Sequence, residues 1–499
     1  MSSSRGMIRS TLQIGGAQAM NILILLLRMK LLALMIGPAG IGLLAVYNNL
    51  HSMAVTLAGL GLGNSGVREI AAARNDPAVL GRVRKVLFAA SLILGVLAMV
   101  VIWFLREPLA RWLSGGEGHS TEVGLVGIAV LLTLLSASQT ALLQGLRRIG
   151  DLVWVTVISA LVGTLVGVFA VWLRGEDGLI WFVIAQPATS VLVARWFARR
   201  LPSPQDRDWT VRMIWTVWKP MAALGLVFML AGLSSEATLL MVRGLITRSL
   251  GLDEAGLFAA SWAIGMTYIG FLLTAMGADY YPRLVEVIHD PDQTNRLMND
   301  QMQIGLALGG PILLALTGLA PWVMELLYSK DFVPAAEMLQ WQSLGNVLKL
   351  ASWPLSFALV AAGRSRIYLF TELSWNAVFL SMIWIGLPLF GLEMAGVGFA
   401  LAFLIYLLIS WAIAHKLNGF RFAPLSAVLL LGHLTLSAVM LVLAYSAPFA
   451  AAWTGVLFAL AGGIAGLRVV LIKIGSEGRL ANLLSSFFAA IGWPVRSKI

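Results

Sequence analysis

Arg28 and Lys30 stand two residues apart inside an apolar run, and Glu236 and Arg243 stand seven apart in another. On a helix two residues are about 200° apart, so Arg28 and Lys30 face different ways. One lines a cavity while the other snorkels outward or pairs. Glu236 and Arg243 share a face. They form either a structural ion pair joining two helices or, through Arg243 with Arg28 and Lys30, a cationic site. A guanidinium suits phosphate because its planar fork donates two parallel hydrogen bonds. Among the acids within apolar runs, Glu236 is the candidate for coupling to protons.

A second constellation lies further along. Gln342, Asn346, Lys349 and Trp353 recur at i, i+4, i+7 and i+11, a continuous polar stripe on one helical face. Tyr368, Glu372, Trp375, Asn376 and Phe379 do the same after the turn at Gly363. Counted from that turn, Lys349 and Glu372 differ in depth by roughly 7 Å at about 1.5 Å per residue. A Lys349–Glu372 pair is expected, serving structure, with cavity lining as the alternative. Asn48, Ser52 and Thr56 share a face of an earlier helix, with Tyr47 and His51 nearby. His51 and His433 read as hydrogen-bonded packing residues, and Glu325 and Asp279 fall near helix ends where water is close.

Other chemistries are disfavoured. The chain has no cysteine, which excludes disulfides and thiolate metal sites. No His, Asp and Glu cluster has metal-ligand spacing, so no metal and no cofactor is expected. Gly61-Leu62-Gly63-Asn64-Ser65-Gly66 fits G-x-G-x-x-G but lacks the strand that a dinucleotide fold needs before it. No Walker A pattern occurs.

The elements that must position these residues are long apolar helices. Only 12% of 499 residues are charged, and mean hydropathy is +0.86. A bilayer core of about 30 Å needs roughly 20 apolar residues per helix. About fourteen such runs are present, at 9–36, 41–68, 84–106, 121–145, 151–173, 178–198, 212–243, 255–281, 303–328, 336–362, 367–390, 393–415, 424–446 and 449–473. The fold class is all-α, a polytopic membrane protein. The first run is too long, and too charged at Arg28 and Lys30, for a cleaved signal peptide.

With the N-terminus inside, the outer side carries only Arg106, Arg111, Arg174, Arg243, Arg248 and Lys330, and Arg28, Lys30, Lys219 and Lys349 lie within spans. The other 25 of the 35 Lys and Arg are cytoplasmic, so both termini are expected inside. The net charge of +11 then reflects orientation and anionic lipid, not nucleic acid.

An internal repeat organises the runs. Gly37, Gly42, Leu43, Ala45 and Gly63 fall on Gly251, Gly256, Leu257, Ala259 and Gly277 at an offset of 214, and Arg28 and Arg68 fall on Arg243 and Arg283 at 215. A weaker echo pairs Gly145 and Arg148-Ile149 with Gly363 and Arg366-Ile367. Two six-helix lobes are expected, 1–210 and 211–420, related by an axis along the membrane normal, with a central cavity between them. Residues 421–474 add two helices outside the repeat. In 475–499, Leu480, Leu483, Leu484, Phe487, Phe488 and Ile491 share one helical face. That tail either lies on the inner leaflet or packs on the bundle.

Gly37-Pro38-Ala39-Gly40-Ile41-Gly42-Leu43 resembles the opening of polysaccharide-transporter flippases. Trp341-Gln342-Ser343-Leu344-Gly345-Asn346-Val347-Leu348-Lys349, continued by Arg366, Tyr368 and Glu372, is similar to the Wzx-type O-antigen and enterobacterial-common-antigen (lipid III) translocases. Lys30, Lys219 and Met241-Val242-Arg243 sit where that group also places basic residues. The resemblance covers spans 1 to 12. It implies the fold of the multidrug/oligosaccharidyl-lipid/polysaccharide (MOP, MATE-like) exporter superfamily, with two lobes in a V. It also implies flipping of an undecaprenyl-diphosphate-linked oligosaccharide across a bacterial inner membrane by alternating access. Arg28, Lys30 and Arg243 would then hold the diphosphate. The sugar would meet Asn48, Ser52, Gln342, Asn346, Lys349, Trp353, Glu372 and Asn376. Membrane lipids, and a polymerase with its chain-length machinery, are the implied partners. Fourteen spans depart from the group's usual twelve and are shared with lipid II flippases. A lipid II flippase, a multidrug exporter, and a membrane polymerase or glycosyltransferase remain as alternatives.

Overall fold

The computed structural model describes residues 2–114, 119–146, 148–201, 218, 229, 233–474, 479–490 and 493. Every long element among them is an α-helix: α1 (Ser2–Gly59), α2 (Leu62–Ala73), α3 (Pro77–Phe104), α4 (Arg106–Ser114), α5 (Ser120–Gly145), α6 (Ile149–Arg174), α7 (Leu179–Ala198), α8 (233–249), α9 (Leu252–Val287), α10 (Pro291–Leu327), α11 (Ala336–Ala361), α12 (Ser365–Phe390), α13 (Glu393–Asn418), α14 (Pro424–Ser446), α15 (Pro448–Ile474) and α16 (Arg479–Ala490). Helices suit such a chain because hydrocarbon offers no partner for a free backbone N–H or C=O.

Eleven segments among the described residues are long and apolar enough to cross a membrane. Two of these hold two expected spans apiece. Leu23–Gly59 is broken at Gly37, and Gly150–Ala198 runs from α6 into α7. The span expected at 212–243 lies partly outside the described residues, as does Lys219. The set agrees with about fourteen spans, and the chain is a multi-pass membrane protein.

Glycine geometry sets the breaks. Gly37 takes φ +60° and Pro38 starts the second half of α1, where its missing N–H costs nothing. That half stops at Gly59, because Leu60 (φ 43°) and Gly61 (φ 63°) turn the chain left-handed. The span expected over 41–68 is therefore shorter, and α2 is a separate helix. Asp76 caps α3 by accepting from the amides of Ala78 and Val79. Asp290 caps α10 in the same way, through the amides of Asp292 and Gln293.

The chain divides into two compact units, Met1–Leu257 with Leu326–Asp331, and Phe258–Glu325 with Phe332–Ile499. In the first unit, glycines let backbones touch. A Cβ on Gly163 would lie 2.6 Å from Cα of Gln186, and one on Gly167 would lie 2.5 Å from the Phe182 ring. This Gly-x-x-x-Gly face seats α6 against α7 and so sets which way Phe182 and Gln186 point. The repeat-related glycines meet one another. A Cβ on Gly256 would fall 1.8 Å from the Pro38 carbonyl oxygen, and one on Gly42 would fall 2.3 Å from that of Leu252.

The second unit is built from α9 to α15. Trp262, Trp375, Phe379, Phe399 and Phe403 stack and cross at its centre, with ring separations of 4.8–6.2 Å. The last two spans, expected as an addition outside the repeat, are knitted into this unit. Asn299 of α10 accepts from the Ala423 amide at 2.8 Å and the Ser426 hydroxyl at 2.7 Å, while Gln303 donates to Ser426 at 2.9 Å. Gly318 meets the Ala451 backbone, Gly466 meets the Ala307 backbone, and Lys473 pairs with Asp300. In the tail, Phe488 is buried and crosses the Trp493 ring, over which Arg468 lies at 4.6 Å. That edge of the tail packs on the protein, while Phe487 is exposed.

Candidate functional site

A cavity of about 460 Å³ opens in the first unit between α1, α5 and α7. Arg28, Asn48 and His51 line it from α1; Thr133, Ser136, Ala137 and Thr140 from α5; Phe182, Val183, Gln186, Pro187 and Ser190 from α7. Among the described residues, Arg28 is the one cation of this lining, and no carboxylate belongs to it. One Nη of Arg28 donates to Gln186 Oε1 at 2.9 Å, and its guanidinium sits 5.3 Å from the centre of the Phe182 ring. Its Nε is buried with no acceptor among the described residues.

The rest of the wall is neutral and polar. His51 Nε2 is 2.8 Å from the Thr133 hydroxyl, and the hydroxyls of Ser136 and Ser190 are 2.5 Å apart. Pro187 has no N–H to give the carbonyl of Val183, and both residues face the cavity. A pocket with one guanidinium among hydroxyls, amides and an imidazole suits a ligand that is anionic at one end and hydroxyl-rich elsewhere.

The expected cations are not gathered into this lining. Lys30 and Arg243 lie outside it. Arg243 donates from Nη1 to the Ala45 carbonyl at 3.0 Å, and Asn49 donates to Glu236 at 3.1 Å. Ala45 and Asn49 form a face of α1 roughly 110° round from Asn48 and His51, at about 100° per residue. Glu236 and Arg243 thus join α8 to α1, and Arg243 Nε is buried without an acceptor. Asn48 is exposed in the cavity as expected of a polar lining residue, whereas Ser52 does not line it.

The stripes of the second unit are used differently. Gln342 and Asn346 are 0% exposed. Gln342 accepts from the Ser261 hydroxyl at 2.9 Å, and Asn346 donates to the Gly265 carbonyl at 3.1 Å. Both stitch α11 to α9, because Gly265 leaves room for an amide where a side chain would otherwise stand. The Lys349–Glu372 pair is not closed. Glu372 accepts from the Tyr406 hydroxyl at 2.6 Å, and Lys349 Nζ lies 3.6 Å from Met266 Sδ and 5.4 Å from the centre of the Phe403 ring. Asn376 donates to the Glu372 backbone carbonyl at 3.0 Å. Trp353 packs on Phe357 and Tyr280.

Sequence reasoning missed Thr133, Ser136, Thr140, Gln186 and Ser190, and read His51 as packing. A signal existed. Thr133, Ser136 and Thr140 recur at i, i+3 and i+7, and Gln186 and Ser190 at i and i+4, in otherwise apolar helices.

Known proteins share both sequence and fold with this chain. A family described as polysaccharide biosynthesis protein matches residues 4–337. The lipid III flippase of Escherichia coli (strain K12) is 25% identical over 360 residues, covering 69% of this chain and 83% of that protein, and the lipid III flippase of Shigella flexneri gives the same figures. Among solved structures, lipid II flippase MurJ in an inward closed conformation superimposes with a TM-score of 0.64 at 12% identity, over 94% of this chain and 99% of that one. An inward-facing multidrug resistance MATE transporter of the MOP superfamily also gives 0.64, at 16% identity over 80% of this chain and 94% of its own. The likeness to these two structures is one of fold. The chain belongs to the polysaccharide biosynthesis protein family and has the helical fold of the MOP superfamily transporters.

Proposed function

We propose that this protein is a flippase that carries a lipid-linked oligosaccharide, joined to its prenyl chain through a diphosphate, from the cytoplasmic to the outer leaflet of a bacterial inner membrane. The observation that carries the reading is the cavity walled by α1, α5 and α7. Among the described residues it offers one guanidinium, no carboxylate, and a wall of hydroxyls and amides. Arg28 takes the diphosphate, whose burial without a cation would be prohibitive, and Asn48, Gln186 and the α5 hydroxyls take the sugar. The prenyl tail stays in lipid. Family membership and the lipid III flippases at 25% identity point the same way.

In this reading both termini are cytoplasmic, lobes 1–210 and 211–420 alternate access to the two leaflets, and no bond is made or broken. A multidrug exporter on the same fold would need acids in its cavity to hold cationic drugs, and this lining has none among the described residues. Purified protein in vesicles carrying a fluorescent prenyl-diphosphate-linked N-acetylglucosamine tests the reading. The expected result is loss of leaflet protection of the probe only in vesicles holding the protein. Unchanged protection, or a covalently altered probe, would overturn it.

A further inference from the structure

Gln186 meets the Arg28 guanidinium without bringing a charge to it. A guanidinium has donors only, so the amide presents its oxygen, at 2.9 Å. Phe182 stands one turn earlier on the same face of α7, with its ring centre 5.3 Å from the guanidinium. An amide oxygen and a ring face hold the group, and neither cancels its charge. The backbone behind Gln186 is fixed as well. Gly163 of α6 leaves no room for a methyl group beside it, since a Cβ there would lie 2.6 Å from Cα of Gln186. The Thr189 hydroxyl lies 2.9 Å from the Gln186 carbonyl and 3.2 Å from that of Ser159 on α6.

The ordinary partner of a part-buried guanidinium is a carboxylate. A glutamate has the length of a glutamine, and in this place it would close a salt bridge and leave the lining neutral. Among the described residues the other titratable group of the lining is His51 of α1, which faces the Thr133 hydroxyl of α5. We propose that Gln186 makes this cavity selective for an anionic headgroup: its amide holds Arg28 in place and leaves the charge of Arg28 to the cargo. The cargo half of this rests on the flippase reading. Gln186 is thus a positioning residue that acts on the diphosphate through Arg28, while its Nε2 meets the sugar.

Two measurements decide the matter. The first compares two fluorescent probes in the vesicle assay, N-acetylglucosamine on a prenyl diphosphate and the same sugar on an uncharged prenyl ether. Wild type should favour the diphosphate at least about tenfold, the worth of one charged hydrogen bond. Gln186→Glu, checked for folding by thermal melting, should lose that preference. A preference kept in Gln186→Glu overturns the proposal, as does an equal loss of both probes, which is what a merely structural role gives. The second is nitrogen-15 solid-state NMR of arginine-labelled, full-length protein in lipid, with Arg28→Lys used to assign the signal. The two Nη signals of Arg28 should be resolved in wild type and merge by rotation in Gln186→Leu. Merged signals in wild type, or resolved ones in Gln186→Leu, overturn the holding role. If wild type moves neither probe, the flippase reading falls, while the NMR still decides whether Gln186 holds Arg28.

Discussion

Among the described residues, Arg28 carries the only charge on the cavity wall, and its partners are one amide oxygen and one ring face. Replacing it by alanine should therefore cost transport far more than stability. At about 1.4 kcal/mol per factor of ten, one lost guanidinium–phosphate contact lowers transport of the fluorescent lipid-linked sugar at least about tenfold. Melting of the purified Arg28→Ala protein should barely change. Arg243 is expected to behave in the opposite sense. It is tied to the Ala45 carbonyl and sits in the field of Glu236, so Arg243→Ala strands an acid in a poorly solvated place. Its melting temperature should drop, and the double variant Glu236→Gln/Arg243→Met should recover part of the loss. If Arg243→Ala instead melts like wild type but transports nothing, a substrate role for Arg243 replaces the structural one.

Helices in this protein are placed by what their small residues permit. Gly256 has no room for a methyl group, because Pro38 and Gly42 backbone already fills the site. Gly256→Ala must push α9 from α1, at a cost of typically 1–3 kcal/mol for overpacking, read as a lower melting temperature and reduced yield. Helix ends follow the usual capping chemistry. Hydrogen bonds from Gln293 and Asp292 hold the exposed Asp290 carboxyl below its ordinary value of 3.8. A depressed acid stabilises the fold above its unfolded value and loses that contribution as pH falls through the folded one. Protection of the first α10 amides should thus persist at neutral pH and fade only below that ordinary value. Asp290→Ala should show the loosened amides at neutral pH already, measured by hydrogen exchange.

At the scale of the molecule, α14 and α15 belong to the body of the second unit. Removing 424–499 would leave Gln303 of α10 without its partner Ser426, take one of the two donors from Asn299 Oδ1, and bare Gly310, against which the His433 ring packs. Buried polar groups left unpaired cost about 1–3 kcal/mol each, enough with the lost packing to unfold a marginally stable chain. The truncated protein should fail to yield a monodisperse peak in size-exclusion chromatography. A stable, transport-competent truncation would show these helices to be an addition after all.

Span number, helical class and the kink at Gly37-Pro38 were legible in the amino-acid sequence, because crossing a membrane is decided by local length and hydropathy and by the φ preferences of glycine and proline. The equivalence of Gly42 and Gly256 in the repeat is read from the sequence, but their backbone contact is known only from the structure. What only tertiary structure decided is where each polar side chain points. In lipid the outside of a helix is as apolar as its packed side, so periodicity does not tell which face turns inward. The rotation of α7 is set by Gly163 and Gly167 of a different helix, which is why Gln186 reaches Arg28. The same packing turned Gln342 and Asn346 into ties between α9 and α11, and drew Glu372 to Tyr406 in place of Lys349.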